Sequence, residues 1–305
     1  MSGLRPGAAP RPLGRTQLRA FPLAYGCWRF AGASLREARA KIDAALGLGV
    51  TLFDHADIYG GDGAAERLFG DALAEAPGLR DRMLIASKGG IVPGVPYDSS
   101  PAHVRAACEA SLRRLRVEVI DLYQLHRPDW LMDPEPLAAE LDALHRDGKI
   151  RAVGVSNFRP SQVDALQRFL PCPIATQQPE LSPWVLDPLR DGVLDQCLRE
   201  HITPLAWSPL AGGRLGLGAD AARREPHGAR LAELIELLDS FATRQGVSRT
   251  AVVLAFLLVH PAGIIPILGT QRVERIADAA DAFKVELTRA DWYAIVSTSL
   301  GERLP

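Results

Sequence analysis

Asp54, Tyr59, Lys88 and His126 stand at or just past the ends of three successive apolar runs, TLFDHAD, MLIASKGG and VIDLYQLH. These are the residue types that protonating a carbonyl oxygen at neutral pH requires. A tyrosine has an ordinary pKa of about 10, too high for proton exchange near pH 7, so a working Tyr59 needs a cation beside it. Lys88 can supply that charge. A lysine drawn out of water needs a counter-ion, and Asp54 on the neighbouring run is placed to provide it. His126 can hydrogen-bond the carbonyl oxygen or pass a proton. Each residue also has a plainer reading: a loop cap for Asp54, a rim aromatic for Tyr59, a solvated Lys88, a satisfied core His126. The joint reading gains because run after run ends in a different ionisable residue, as the strands of a barrel enzyme do at its mouth.

Two rival chemistries fit less well. Asp54, His55, Asp57 and His126 are all possible metal ligands, but the later strand ends carry Ser156-Asn157, Gln178 and Trp207, which are poor ones, so no metal is expected. Ser156 in GVSNF lacks the G-x-S-x-G elbow and a nearby base, which argues against a nucleophile.

The elements that must hold these groups follow from the pattern. Eight short apolar runs, at residues 23–26, 51–54, 83–87, 120–125, 152–155, 175–178, 203–207 and 264–268, read as strands. Between them lie amphipathic segments at 35–48, 64–75, 101–115, 134–147, 161–169, 189–200 and 272–282. Eight strands alternating with helices predict an α/β fold, a closed (β/α)8 TIM barrel. A hairpin over 13–18, turning at Gly14-Arg15-Thr16, precedes it. The interval from Trp207 to Ile264 is too long for one crossover; it holds the Gly-rich LAGGRLGLG and helices at 229–245 and 249–259. A last helix at 288–300, capped by Thr288, adds to the extra C-terminal helices. Residues 1–12 are expected to be a flexible start and 13–305 a single barrel domain.

The 305 residues are 47% hydrophobic, enough for one large core, and the net charge of −1 argues against nucleic-acid or membrane-surface partners. The most apolar stretch, 251–259, is too short to cross a bilayer. Cys27, Cys108, Cys172 and Cys197 are scattered without metal or disulfide spacing, which fits a reducing, cytoplasmic setting. Nothing in the sequence selects an oligomeric state.

The segments FDHADIYG, IASKGG, DLYQLHRPD, GKIRAVGVSNF, PLAWSPLAGGRL, IPILGTQRVERI and LTRADWYAI together resemble the aldo-keto reductase family, in the right order and over nearly the whole chain. The separations of the four candidates, 5, 29 and 38 residues, fit that family's pattern, and LHRPDWLMDPEP is similar to its bacterial oxidoreductase branch. The resemblance implies NAD(P)H-dependent reduction of an aldehyde or ketone to an alcohol, or the reverse. Tyr59 would deliver the proton, Lys88 tune it, Asp54 hold Lys88, and His126 orient the carbonyl. By the same likeness Ser156, Asn157 and Gln178 would bind the nicotinamide carboxamide and Trp207 would stack on the ring. Ser208, Leu210, Gly212 and Arg214 would lie along the pyrophosphate. Gly269, Thr270, Gln271, Arg272 and Arg275 would take the adenosine end, where a helix start favours an anion. No G-x-G-x-x-G is present, so a Rossmann domain is not the source of dinucleotide binding.

Two positions depart from the family pattern. Many NADPH-preferring relatives carry Lys-Arg where this chain has Gln271-Arg272, and the usual Glu-Asn pair further on is Asp278-Ala279. NADPH remains the expected cofactor, with NADH possible. The substrate is expected to be a small-molecule carbonyl compound, met by Trp28, Ile91 and Trp130 on the pocket lip. The alternative is an NADPH-binding regulatory module resembling channel-associated β subunits.

Overall fold

A computed structural model describes residues 3–304 of the chain. A two-stranded hairpin, β1 (Arg11–Pro12) with β2 (Arg19–Ala20), comes first. Eight strands follow: β3 (Ala24–Gly26), β4 (Leu52–Asp54), β5 (Leu84–Gly89), β6 (Leu122–Leu125), β7 (Val153–Ser156), β8 (Ile174–Gln178), β9 (Thr203–Ala206) and β10 (Ile265–Leu268). They pair in parallel in chain order and close where β10 meets β3, giving the barrel that the run pattern predicts.

Period-two alternation decides what faces inward. Leu52 and Asp54, Ala86 and Lys88, and Leu122 and Gln124 are each two residues apart on one strand, and Asp54 pairs with Ala86 while Lys88 pairs with Gln124. The interior therefore changes from an apolar layer at the floor to a polar one at the mouth. Phe53, Ile85, Tyr123 and Val155, between these positions, pack outward against Ile42, Phe69, Val104 and Leu141 of the helices.

The hairpin closes the floor. Leu13, Leu18 and Ala20 are buried in one cluster with Ala24, Leu52, Leu122, Ala175 and Ile265. Gly14 makes the close approach possible: its φ is +59°, a Cβ there would lie 2.7 Å from the Ala175 backbone, and its N–H donates to Thr203 Oγ1 at 2.9 Å. Leu13 N donates to Leu18 O at 2.8 Å, so the turn falls where Gly14-Arg15-Thr16 places it.

The helices start and stop on local signals. Ser34 caps Leu35–Leu48 in a capping box with Glu37, and Gly49 ends it at φ 96°. Ser100 and Asp133 cap Pro101–Leu115 and Pro134–Arg146, each with proline in the first turn. The pattern at 189–200 divides into a 3-10 turn, Asp187–Leu189, and a helix, Val193–Glu200, because Gly192 at φ 87° interrupts it. The pattern at 272–282 likewise becomes a short helix, Val273–Asp278, continued by the 3-10 segment Ala279–Lys284. Gly228–Gln245 and Arg289–Leu300 are the extra helices, and their apolar faces form a second core with Arg249–Leu258, the helix that leads into β10.

Residues 1, 2 and 305 lie outside the described residues. Of the remaining start, Leu4 pairs with Leu287, Arg5 pairs with Glu286, and the Arg11 guanidinium donates to the carbonyls of Ile264 and Leu258 at 2.7 and 3.0 Å. These contacts join the start of the chain to residues between Leu258 and Leu287. The four cysteines are unpaired. No helix among the described residues is long and apolar enough to cross a membrane.

Candidate active site

Asp54 ends β4, Lys88 sits near the end of β5, His126 follows β6, and Tyr59 lies in the loop after β4. All four are at the C-terminal ends of the strands, where barrel chemistry occurs. Lys88 Nζ donates to Asp54 Oδ2 at 2.7 Å, to the His55 carbonyl at 2.8 Å and to Tyr59 OH at 3.1 Å. Its three hydrogens are all engaged. The Tyr59 and His126 rings meet edge-on with centroids 5.9 Å apart. The structure thus brings the four together.

Burial and charge set their protonation states. Burial alone would push the fully buried Lys88 down, but the Asp54 carboxylate and Tyr59 outweigh it and hold the ammonium above its usual range. Tyr59 is raised, first by burial and against the opposing Lys88 charge, so it is a protonated donor at neutral pH. His126 is pushed down to about 2, by burial first and then by the positive charges of Lys88 and Arg127. An imidazole in that state stays neutral. Of the two roles open to His126 from sequence, hydrogen bonding is the one its surroundings allow, and carrying a proton at pH 7 is not.

Asp54, only 3% exposed, has partners that sequence reasoning missed. Gln178 Nε2 donates to its Oδ1 at 2.9 Å, and Gln124 Nε2 lies 3.5 Å from the same oxygen. Thr176 Oγ1 donates to Gln124 Oε1 at 3.1 Å. Gly154 leaves room for that crossing, since a Cβ there would sit 2.2 Å from Thr176 Oγ1. Part of the signal was present: Gln124 is a polar residue in the mostly apolar run 120–125, whereas Thr176 stands in the polar run Ala-Thr-Gln-Gln and carries none. His55 contributes only its carbonyl. Its ring turns into the core against Phe69 at 4.4 Å, neither nitrogen has a partner, and burial pushes it down to about 3. Among the described residues no three His, Cys, Asp or Glu side chains gather as a metal site would need.

A second constellation adjoins the first. Ser156 Oγ donates to the Gln178 carbonyl at 2.8 Å, Asn157 Nδ2 to Ser156 Oγ at 2.8 Å, and Trp207 Nε1 to Asn157 Oδ1 at 3.0 Å. Asn157 adopts φ 62°, a left-handed conformation that asparagine tolerates. The Arg127 guanidinium lies over the Trp207 ring at 5.5 Å. Trp207 is therefore clamped in place, and Gln178, whose side-chain nitrogen donates to Asp54 and whose main-chain carbonyl accepts from Ser156, keeps its side-chain Oε1 without a hydrogen-bond partner among the described residues.

The backbone after β9 is open. Ser208 and Ala211 have φ near 50°, and Gly212 and Gly213 have φ 67° and 102° with nothing within 4 Å of a notional Cβ. Such a stretch lets an anionic ligand approach the main chain, which fits a dinucleotide pyrophosphate. Leu210 packs on the second core, and Arg214 Nε is 3.8 Å from Glu225 at the surface. After β10, Gly269 is equally open, the Thr270 carbonyl accepts from Tyr25 OH at 3.0 Å, and Gln271 Oε1 accepts from Lys41 Nζ at 2.9 Å. Arg272 is exposed and paired with Glu274, while Arg275 is exposed. The Gln271 amide thus has a cation partner, Lys41, that sequence reasoning did not identify.

On the lip, Trp28 (61% exposed), Ile91 and Trp130 (89% exposed) stand in the loops after β3, β5 and β6. The Arg29 guanidinium lies over Trp28 at 5.3 Å.

The chain resembles known proteins over nearly its whole length. The profile of the aldo/keto reductase family matches residues 22–299. A 6-dehydroglucose reductase of Novosphingobium aromaticivorans is 46% identical over 312 aligned positions, covering all of both chains. One of Agrobacterium fabrum is 40% identical over 92% of this chain and 95% of its own. Among solved structures, the glycerol dehydrogenase of Gluconobacter oxydans superposes with a TM-score of 0.82 at 28% identity, covering 100% of this chain and 98% of that one.

Proposed function

The chain belongs to the aldo/keto reductase family and is an oxidoreductase of carbonyl and alcohol substrates; from that premise we propose that it reduces an aldehyde to an alcohol with NADPH, in preference to NADH, and with Tyr59 as the proton donor. The reduced nicotinamide, when bound, supplies the hydride. Tyr59 gives its phenolic proton to the carbonyl oxygen as negative charge develops there. Lys88, 3.1 Å away, lowers the cost of the resulting tyrosinate, and Asp54 keeps Lys88 charged. Neutral His126 hydrogen-bonds the same oxygen and fixes the carbonyl's orientation. Trp207 would back the nicotinamide ring, and Ser156, Asn157 and Gln178 Oε1 would hold its carboxamide. Residues 208–214 would hold the pyrophosphate and residues 269–275 the adenosine end.

One observation carries this reading: a fully buried Lys88 that joins Asp54 to Tyr59 at the barrel mouth. It also favours an enzyme over a regulatory binding module, since binding alone has no use for a cation poised on a phenol. The substrate class follows from the relatives. Two that are 46% and 40% identical over at least 92% of this chain are named for 6-dehydroglucose, so the proposed substrate is the aldehyde of an oxidised hexose. The flat, exposed Trp28 and Trp130 suit the carbon face of a sugar ring.

The test is oxidation of NADPH with 6-dehydroglucose and a panel of simple aldehydes. Tyr59→Phe should cut turnover by roughly 10²- to 10⁴-fold while NADPH binding stays within about twofold. Turnover that survives this change means Tyr59 is not the donor.

A further inference from the structure

Lys41, on the helix Leu35–Leu48, is more than nine-tenths buried, yet among the described residues no carboxylate lies within 4 Å of its ammonium. The other buried cations are paired: Lys88 with Asp54, and Arg114, largely buried, with Glu66. Lys41 instead donates to the neutral Gln271 Oε1 at 2.9 Å and lies over the Phe30 ring at 5.5 Å. Withdrawing an ammonium from water is costly unless an anion compensates it, and an amide oxygen with one aromatic face compensates only in part. The neighbouring groups are polar as well. Tyr25 OH donates to the Thr270 carbonyl at 3.0 Å and lies 3.5 Å from Gln271 Nε2. Glu37, one turn earlier on the same helix, feels the Lys41 charge but makes no ion pair with it, and the whole group lies beside the first residues after β10.

We propose that Lys41 is the cation that reads the 2′-phosphate of NADPH in this protein. The inference rests on the reading above that residues 269–275 hold the adenosine end. Arg272 and Arg275 suit that role less well, since both are exposed and Arg272 is already paired with Glu274. Exposed charges are screened by water and salt, whereas a buried cation is screened much less. Gln271 then serves as a gate, holding the ammonium when no phosphate is present and able to release it by rotating about its side chain. A purely structural role, as a strap between the first helix and the last barrel loop, would affect NADPH and NADH alike.

Calorimetric titration of the whole protein separates these. Probes are NADPH, NADH, 2′,5′-ADP and 5′-AMP, and variants are Lys41→Met, Lys41→Gln and the double change Arg272→Ala with Arg275→Ala. The expected result is that either Lys41 variant weakens NADPH and 2′,5′-ADP by about tenfold or more and leaves NADH and 5′-AMP within about twofold. The double arginine variant should lose less. Equal losses for both cofactors, no loss for either, or a wild-type preference for NADH overturns the proposal while leaving the reductase reading standing. Wild-type protein that binds neither dinucleotide overturns both. Two variants of different polarity guard against one that fails to fold.

Discussion

Lys88→Met tests the central geometry most directly, because methionine keeps much of the side chain's length and removes only its charge and three donors. Those donors reach Asp54, the His55 carbonyl and Tyr59 at 2.7, 2.8 and 3.1 Å. Without them Asp54 is a carboxylate 3% exposed that keeps one good hydrogen bond, from Gln178 at 2.9 Å. Stranding a buried charge costs about 3 to 5 kcal/mol, and the surviving bond favours the lower end. With roughly 2 cal/mol/K of unfolding entropy per residue, a chain of 305 residues loses roughly 1.5 °C of Tm per kcal/mol, so the expected drop is roughly 5 to 8 °C. Adding Asp54→Asn removes the stranded charge and should recover about half of the loss or more. Turnover should behave differently. Both variants lack the charge that opposes burial at Tyr59, so both should lose at least about a hundredfold, with no recovery in the double variant. Thermal unfolding and steady-state NADPH oxidation read the two effects separately. A double variant no more stable than the single one would refute the ion-pair argument. A double variant that regains turnover would refute the link from Lys88 to Tyr59.

The buried histidines predict acid lability. His55 and His126 hold values near 3 and 2, far below the usual imidazole value near 6.5, so the unfolded chain binds protons that the fold refuses. Their stabilisation is complete above about pH 6.5 and is lost as pH falls from there towards 3. Asp57, raised to about 7 by burial and then by Glu66, contributes stability below about pH 4 that is lost as pH rises towards 7. Two protons against one leave a net fall of about 1.4 kcal/mol per pH unit between about pH 6 and 4. His55→Leu should flatten that slope by about the same amount in urea titrations run across pH, and an unchanged slope counts against the assignment. Gly14→Ala forces a Cβ into the Ala175 backbone at a left-handed φ. It should cost about 2 kcal/mol or more while leaving the activity of the folded fraction intact, because the floor lies opposite the site. A loss of kcat larger than the loss of folded protein would contradict that separation.

Much of this architecture was legible locally. Eight short apolar runs, Ser34 with Glu37, Pro101 and Pro134 in first turns, and Gly49 as a stop all act within a few residues, so the barrel and most helix ends could be read in order along the chain. That Asp54, Tyr59, Lys88 and His126 stand together was legible for the same reason: each sits at or a few residues past the end of a strand. Boundaries slipped where backbone conformation intervened, as at Gly192 and in the short helix Ala219–Ala222 within the Gly-rich interval, which the composition did not announce.

Partnership between distant residues was decided only by closure of the barrel. Gln178 reaches Asp54 across 124 positions, and Lys41 reaches Gln271 across 230. Neither pairing leaves a periodic trace, because a hydrogen bond depends on where two strand or helix ends come to rest and not on local sequence. The same holds for protonation: His126 reads as a possible proton carrier by type, and only its burial beside Lys88 and Arg127 makes it a neutral hydrogen-bonding group. Sequence alone determined which groups stand at the mouth of this barrel. Tertiary structure decided which are charged and what each one holds, since desolvation and distance, the two quantities that set those states, exist only once the chain has closed.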